Sequence, residues 1–225
     1  MTKQLAACIF DLDGVIVDTA KYHFLSWRRL AEELGIDFTE EHNEQLKGVS
    51  RMRSLDILLA LGDKQLSQQE KEQYAARKNE WFVEFILQMT PDEILPGVVA
   101  FLDELRTEGI KIALGSASKN APTILKQVGL THYFEVIVDG NSVTEAKPDP
   151  EIFLKGANAL GVAPAATVVF EDAIAGVEAA HRGGMYCVGV GSSDVLTEAD
   201  IVINQFTEID LSRLRASFAG AQGRH

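Results

Sequence analysis

Leu5-Ala6-Ala7-Cys8-Ile9-Phe10-Asp11-Leu12-Asp13-Gly14-Val15 opens apolar and ends on two carboxylates one residue apart. A short apolar run bounded by a turn signal reads as a strand buried on both faces. Asp13-Gly14 is that turn signal, and hairpin use would account for it. It does not account for Asp11, a charge set where the buried strand ends. The same grammar recurs downstream. Apolar runs over 110–114, 136–138, 167–170 and 185–190 predict further strands. Between them lie helical patterns: Val98, Phe101, Leu102 and Leu105 stopped by Gly109; Ile124, Leu125 and Val128, in a helix from about Lys119, stopped by Gly129; then helices over 150–160 and 173–181. This alternation predicts an α/β fold, a doubly wound Rossmann-like parallel sheet covered by helices on both faces.

Residues 19–91 read differently, with helical periodicity and no strand. Phe24, Trp27, Ala31 and Leu34 form one stripe closed by Gly35, and Leu55, Leu58 and Leu59 form a second. Ser67 and Glu70 have capping-box spacing and open a third stripe of Tyr74, Trp81, Phe82, Phe85 and Met89. A helical block set between the first strand and the rest of a sheet reads as an inserted α-helical cap. The expected division is a core of 1–18 and 92–225 with a cap of 19–91. The chain has no internal repeat. The segment from Asp194 onward resists placement, and 219–225 reads as a disordered end.

Composition bounds the partners. The 225 residues are 46% hydrophobic and 24% charged, a globular balance. A net charge of −12, from 21 basic and 33 acidic residues, argues against nucleic acid and anionic membranes as partners and leaves small molecules. No stretch approaches a membrane span, and the apolar run before Asp11 is too short for a secretory segment. Cys8 and Cys187 each lie in an apolar run, so they read as buried thiols, and a soluble cytoplasmic protein is expected.

Ligands of open α/β sheets sit outside the carboxyl ends of the strands. The residues just past each strand therefore assemble a site: Asp11 and Asp13, then Ser116-Ala117-Ser118-Lys119-Asn120, then Lys147-Pro148, then Glu171-Asp172. Singly, each has a plain explanation. The serines could cap a helix, Lys147 could be a solvated loop lysine, and Glu171-Asp172 could be favourable acids in a first helical turn. Together on one rim they suit Mg²⁺ and a phosphoryl group, with hard oxygens for the metal and cations with N–H donors for the phosphate.

These motifs, in this order, resemble those of the haloacid dehalogenase superfamily of phosphotransferases over nearly the whole chain. The runs Ala20-Lys21-Tyr22-His23-Phe24 and Asn43-Glu44-Gln45-Leu46-Lys47-Gly48-Val49-Ser50-Arg51 are similar to a sugar-phosphate mutase within it. The resemblance implies that Asp11 attacks phosphorus and becomes an aspartyl phosphate, with Asp13 as acid and base and Thr19 positioning it. One Mg²⁺ per chain would be held by Asp11, the Asp13 carbonyl and Asp172, with Glu171 assisting. Ser116 and Lys147 would hold non-bridging oxygens. Arg51, Ser118, Lys119 and Asn120 would bind the distal phosphate, while His23 and Lys78 bring Asp13 into line. Trp27, Gly48, Val49, Ser54 and Ala117 complete the implied substrate contacts.

For the cap residues the plain readings stand beside these: a snorkelling Lys78, a core histidine at His23, an exposed loop Arg51. The expected reaction is isomerisation of β-D-glucose 1-phosphate and D-glucose 6-phosphate through β-glucose 1,6-bisphosphate, in a monomer. One rival is a Mg²⁺-dependent sugar-phosphate phosphatase on the same core and cap. A phosphate-binding regulatory module without catalysis is the other.

Overall fold

The computed structural model describes residues 4–46 and 48–222. Strands β1 (Ala7–Phe10), β2 (Lys111–Gly115), β3 (Val136–Val138), β4 (Thr167–Glu171), β5 (Tyr186–Val190) and β6 (Ile201–Ile203) form one sheet in the order β3-β2-β1-β4-β5-β6. Every pairing is parallel. Phe10 stands level with Leu114 on one side and Phe170 on the other, so the segments leaving β1, β2 and β4 emerge together. The chain winds outward from β1 to β3 and then restarts at β4 on the other flank. The crevice that results lies at the carboxyl edge beside β1.

Alternate strand residues serve opposite faces. Phe10, Leu114 and Phe170 pack with Phe101, Leu102 and Phe206 in one cluster. There the Phe10 and Phe170 rings stack 4.7 Å apart. Ile9, Ala113 and Val169 pack on the opposite face with Phe153 and Val177. Covering helices are α5 (Val98–Thr107), α6 (Ala121–Gln127), α7 (Glu151–Ala159), α8 (Ile174–Arg182) and α9 (Leu211–Gln222).

The inserted cap is α1 (Ala20–Leu34), α2 (Glu40–Glu44), α3 (Arg51–Leu61) and α4 (Gln68–Ile86). It has its own cluster, built on Trp27, Leu30, Ala31, Leu55, Leu58 and Trp81. Gly35 ends α1 at φ +66°, a left-handed conformation that glycine adopts without strain. Ser67 and Glu70 cap α4 reciprocally. The stripe expected on α4 divides between two jobs. Trp81 packs inside the cap, whereas Phe82, Ile86 and Met89 join the sheet's cluster. The two connections cross as a small ribbon: Val17 bridges Ile94, and Glu93 takes Lys21 Nζ and Tyr22 Oη at 2.7 Å each.

Several expectations change. α6 begins at Ala121 rather than Lys119, Glu171 lies inside β4, and the unplaced C-terminal segment supplies β6 and α9. Residues 219–222, expected to be disordered, complete α9, which buries Leu211, Leu214 and Phe218; residues 223–225 lie outside the described set. Among the described residues no helix is long and apolar enough to cross a membrane.

Candidate active site

A cavity of about 900 Å³ lies between the cap and the carboxyl edge of the sheet. Asp11, at the end of β1, is nearly buried, and its Oδ2 accepts the Asp13 N–H at 3.1 Å. The chain then turns tightly: Gly14 has φ +79° and donates its N–H to Val17 O at 2.9 Å. A Cβ on Gly14 would collide with the Asp172 carboxylate, so glycine is required for that carboxylate to rest against the Asp11–Asp13 loop.

Lys147 Nζ lies 2.6 Å from Asp11 Oδ1 and 2.5 Å from Glu171 Oε1, in a buried position. Burial alone would lower its pKa, but the two carboxylates overcome that and raise it, so the ammonium stays charged. The loop that delivers Lys147 is pinned at several points. Glu151 Oε2 accepts the N–H groups of Thr144 at 2.9 Å and Glu145 at 2.7 Å. Asn141 Nδ2 donates to Lys119 O at 3.2 Å, which ties this loop to the one following β2. Gly140 there has room for no Cβ, because the Ala117 carbonyl oxygen fills the place.

The cap supplies the opposite wall. Lys78 Nζ sits 3.2 Å from His23 Nδ1, and 4.7 and 4.6 Å from the ring centroids of Trp27 and Phe82. Burial and the nearby Arg51 charge push the Lys78 ammonium down to about 7, against the opposing pull of Asp13. Burial, then Lys78 and Arg51, hold His23 well below its ordinary value, so the imidazole is neutral. Its Nε2 faces Asp13 Oδ1 at 3.8 Å. Thr19 Oγ1 donates a short hydrogen bond to the same oxygen. Burial and the Asp11 charge push the Asp13 carboxyl up to about 6, although Thr19, Lys147 and Lys78 all favour its ionised form. That places Asp13 where a proton can both arrive and leave near neutral pH.

Asp11, Asp13, Thr19, His23, Trp27, Gly48, Val49, Arg51, Ser54, Lys78, Ala117, Ser118, Lys119, Asn120, Lys147 and Asp172 all line the cavity. Ser116 and Glu171 stand behind its wall instead. Ser116 is fully buried, and its Oγ accepts the Ser118 N–H at 3.1 Å. Glu171 is equally buried and turns Oε1 to Lys147 and Oε2 to the Ala173 N–H at 2.7 Å. In this geometry Glu171 holds Lys147 at the edge of the Asp11 pocket, and its assistance to a metal belongs to the proposed function.

Among the described residues no three His, Cys, Asp or Glu side chains group as a metal site. A Mg²⁺ site needs fewer, because this ion keeps waters and substrate oxygens in its octahedron. The carboxylates of Asp11 and Asp172 with the Asp13 carbonyl are hard donors of that kind, and the Gly14 cradle that admits Asp172 fits the assignment.

Sequence reading missed Asn79, Thr144 and Glu145, which also line the cavity, and Glu151 behind them. The Asp139-Gly140 pair was a readable turn signal for that loop. Asn79, beside Lys78, carried no motif.

A Rossmann-like sheet with a strand-end aspartate pair, a buried lysine and an inserted cap defines an aspartate-based phosphoryl-transfer enzyme. The chain belongs to the haloacid dehalogenase-like hydrolase family, whose sequence model matches residues 5–184. It is 43% identical over 212 residues to the β-phosphoglucomutase of Bacillus subtilis, covering 93% of this chain and 94% of that protein. The crystal structure of β-phosphoglucomutase from Clostridium difficile superposes with a TM-score of 0.95 at 40% identity, over 98% of this chain and all of that one. A phosphorylated carbohydrates phosphatase of Thermotoga maritima is 36% identical over 184 residues, 80% of this chain and 82% of that protein.

Proposed function

We propose that the chain interconverts β-D-glucose 1-phosphate and D-glucose 6-phosphate, the reaction of a β-phosphoglucomutase. The observation that carries this reading is the environment of Asp13. One carboxylate oxygen is addressed by Thr19 at the cap junction and faces His23 of the cap, which in turn touches Lys78. A phosphatase needs only the core groups, whereas this arrangement makes the acid and base depend on the cap.

Asp11 is the nucleophile and carries the phosphoryl group as an aspartyl phosphate. Lys147, held between Asp11 and Glu171, neutralises charge beside it. Asp11, the Asp13 carbonyl and Asp172 would hold Mg²⁺, with Glu171 assisting, and the bound ion would supply the charge neutralisation that lets a carboxylate meet an anionic phosphate. Asp13 removes the proton of the attacking sugar hydroxyl and returns one to the leaving oxygen. Arg51 with Ser118, Lys119 and Asn120 binds the phosphate that is not being transferred, and Ser116, whose Oγ also takes the Ser118 N–H, holds a non-bridging oxygen of the one that is. The β-glucose 1,6-bisphosphate intermediate turns round between these two poles.

The cap comprises 19–91, the core comprises 1–18 and 92–225, and each chain works alone with one Mg²⁺. Two free, buried cysteines suit the reducing cytoplasm. The test is a coupled assay of β-glucose 1-phosphate with a trace of the bisphosphate. Glucose 6-phosphate should accumulate with little free phosphate. Stoichiometric phosphate release without isomerisation would replace this reading with a sugar-phosphate phosphatase.

A further inference from the structure

α4 presents consecutive residues to different parts of the cavity. Lys78 turns to His23, while Asn79 reaches across to the core, where its Oδ1 accepts Asn120 Nδ2 at 2.8 Å. Both asparagines are half-buried and line the cavity. Asn120 stands at the N-cap of α6, where an asparagine side chain ordinarily accepts a helix N–H. Here it makes no capping bond. Its backbone is held separately, the N–H donating to Ser118 Oγ at 3.2 Å, so the amide is free of local duty and turns to the cap. Close by, Gln127 Nε2 of α6 donates to Leu87 O at the end of α4, which fixes the same pair of helices at a second point.

We propose that Asn79 is a positioning residue for the distal-phosphate pocket, acting through Asn120. Its oxygen takes one amide N–H of Asn120 only when the cap lies over the core. The second N–H is thereby oriented for a phosphate oxygen in the cavity the two residues share. Cap closure and completion of the pocket become one event. The proposal rests on the sugar-phosphate reading for the ligand's identity, but its test does not depend on isomerisation.

That test is a double-mutant cycle of Asn79→Ala and Asn120→Ala, read as the dissociation constant of glucose 6-phosphate by calorimetry with Mg²⁺ present. A neutral hydrogen bond of this kind is worth roughly three- to tenfold, so Asn79→Ala should weaken binding by about that factor and leave thermal stability unchanged. In the Asn120→Ala background the same change should have no further effect, because coupled residues are non-additive. Equal losses in both backgrounds, or no loss from Asn79→Ala, would overturn the proposal. Coupling seen in a protein that binds glucose 6-phosphate without isomerising it would retain the proposal and reject the mutase reading. Failure of the unmutated protein to bind glucose 6-phosphate would overturn both.

Discussion

Asp13 and Lys78 are charged groups held away from their ordinary protonation by the same enclosure. The Asp13 carboxyl rises to about 6 through burial and Asp11, and the Lys78 ammonium falls to about 7 through burial and Arg51. For Asp13 the functional consequence is proton transfer. Asp13→Asn keeps the backbone carbonyl and the volume but cannot carry the proton. Turnover should fall by roughly 10²–10⁴-fold, with Mg²⁺ affinity within about threefold of the parent, since its metal contact is through the backbone. Retention of most mutase activity would remove the acid/base role. For Lys78 the consequence is a pH limb. Because its pKa is lowered, the empty site loses this charge as pH rises through about 7. An arriving phosphate restores the charge by attraction, so kcat/KM should fall above about 7 while kcat holds to higher pH. Lys78→Arg, whose guanidinium stays protonated, should lose that limb. An unchanged limb in the variant would assign it to another group.

At the scale of elements, the loop between β3 and α7 shows how a helix end positions catalysis. Glu151, in the first turn of α7, gathers the N–H groups of Thr144 and Glu145 and the hydroxyl of Thr144, while its other oxygen pairs with Lys155 at 2.5 Å. These bonds set the path that brings Lys147 to Asp11. Glu151→Ala removes several hydrogen bonds that hold this loop. It should lower kcat/KM for sugar phosphate about tenfold, with Mg²⁺ affinity unchanged; a variant with parental kinetics would show that the loop holds itself. The strands at the centre of the sheet were legible because burial on both faces leaves uninterrupted apolar runs, and their ends named Asp11, Ser116, Lys147 and Asp172. β6 was not legible because no helix separates it from β5, so the strand–helix alternation that marked the equally short edge strand β3 is missing there. Nor was α9 placed, although Leu211, Leu214 and Phe218 stand at helical spacing. Asn79 and Glu151 escaped for another reason. Asn79 acts across 41 residues, where α4 meets the start of α6, and Glu151 acts on backbone N–H groups six and seven residues before it, which carry no side-chain signal.

For the whole molecule the central problem is to keep the phosphoryl group on Asp11 from water while offering it to a sugar. Core groups alone would serve either acceptor equally. The cap changes this because Asp13 faces His23 and Lys78 stands behind His23. It also rests closely on the core: a Cβ at Gly48 would lie only 2.8 Å from the Ala173 side chain. A water molecule makes no contact with Arg51 or Lys78 and so does nothing to hold the cap down, whereas a sugar phosphate does. Phosphoenzyme decay in single-turnover experiments should therefore be far faster with glucose 6-phosphate than with water alone. His23→Ala and Lys78→Ala should slow the sugar-dependent decay much more than the water-dependent one, since both act on the alignment of Asp13. Arg51→Ala should instead release β-glucose 1,6-bisphosphate into solution, because the pole that retains the intermediate as it turns is lost. Excess EDTA should abolish formation of the phosphoenzyme in every variant, and Mg²⁺ should restore it. Equal decay with and without glucose 6-phosphate in the unmutated protein would mean that closure does not discriminate, and the cap would then be a lid over a phosphatase.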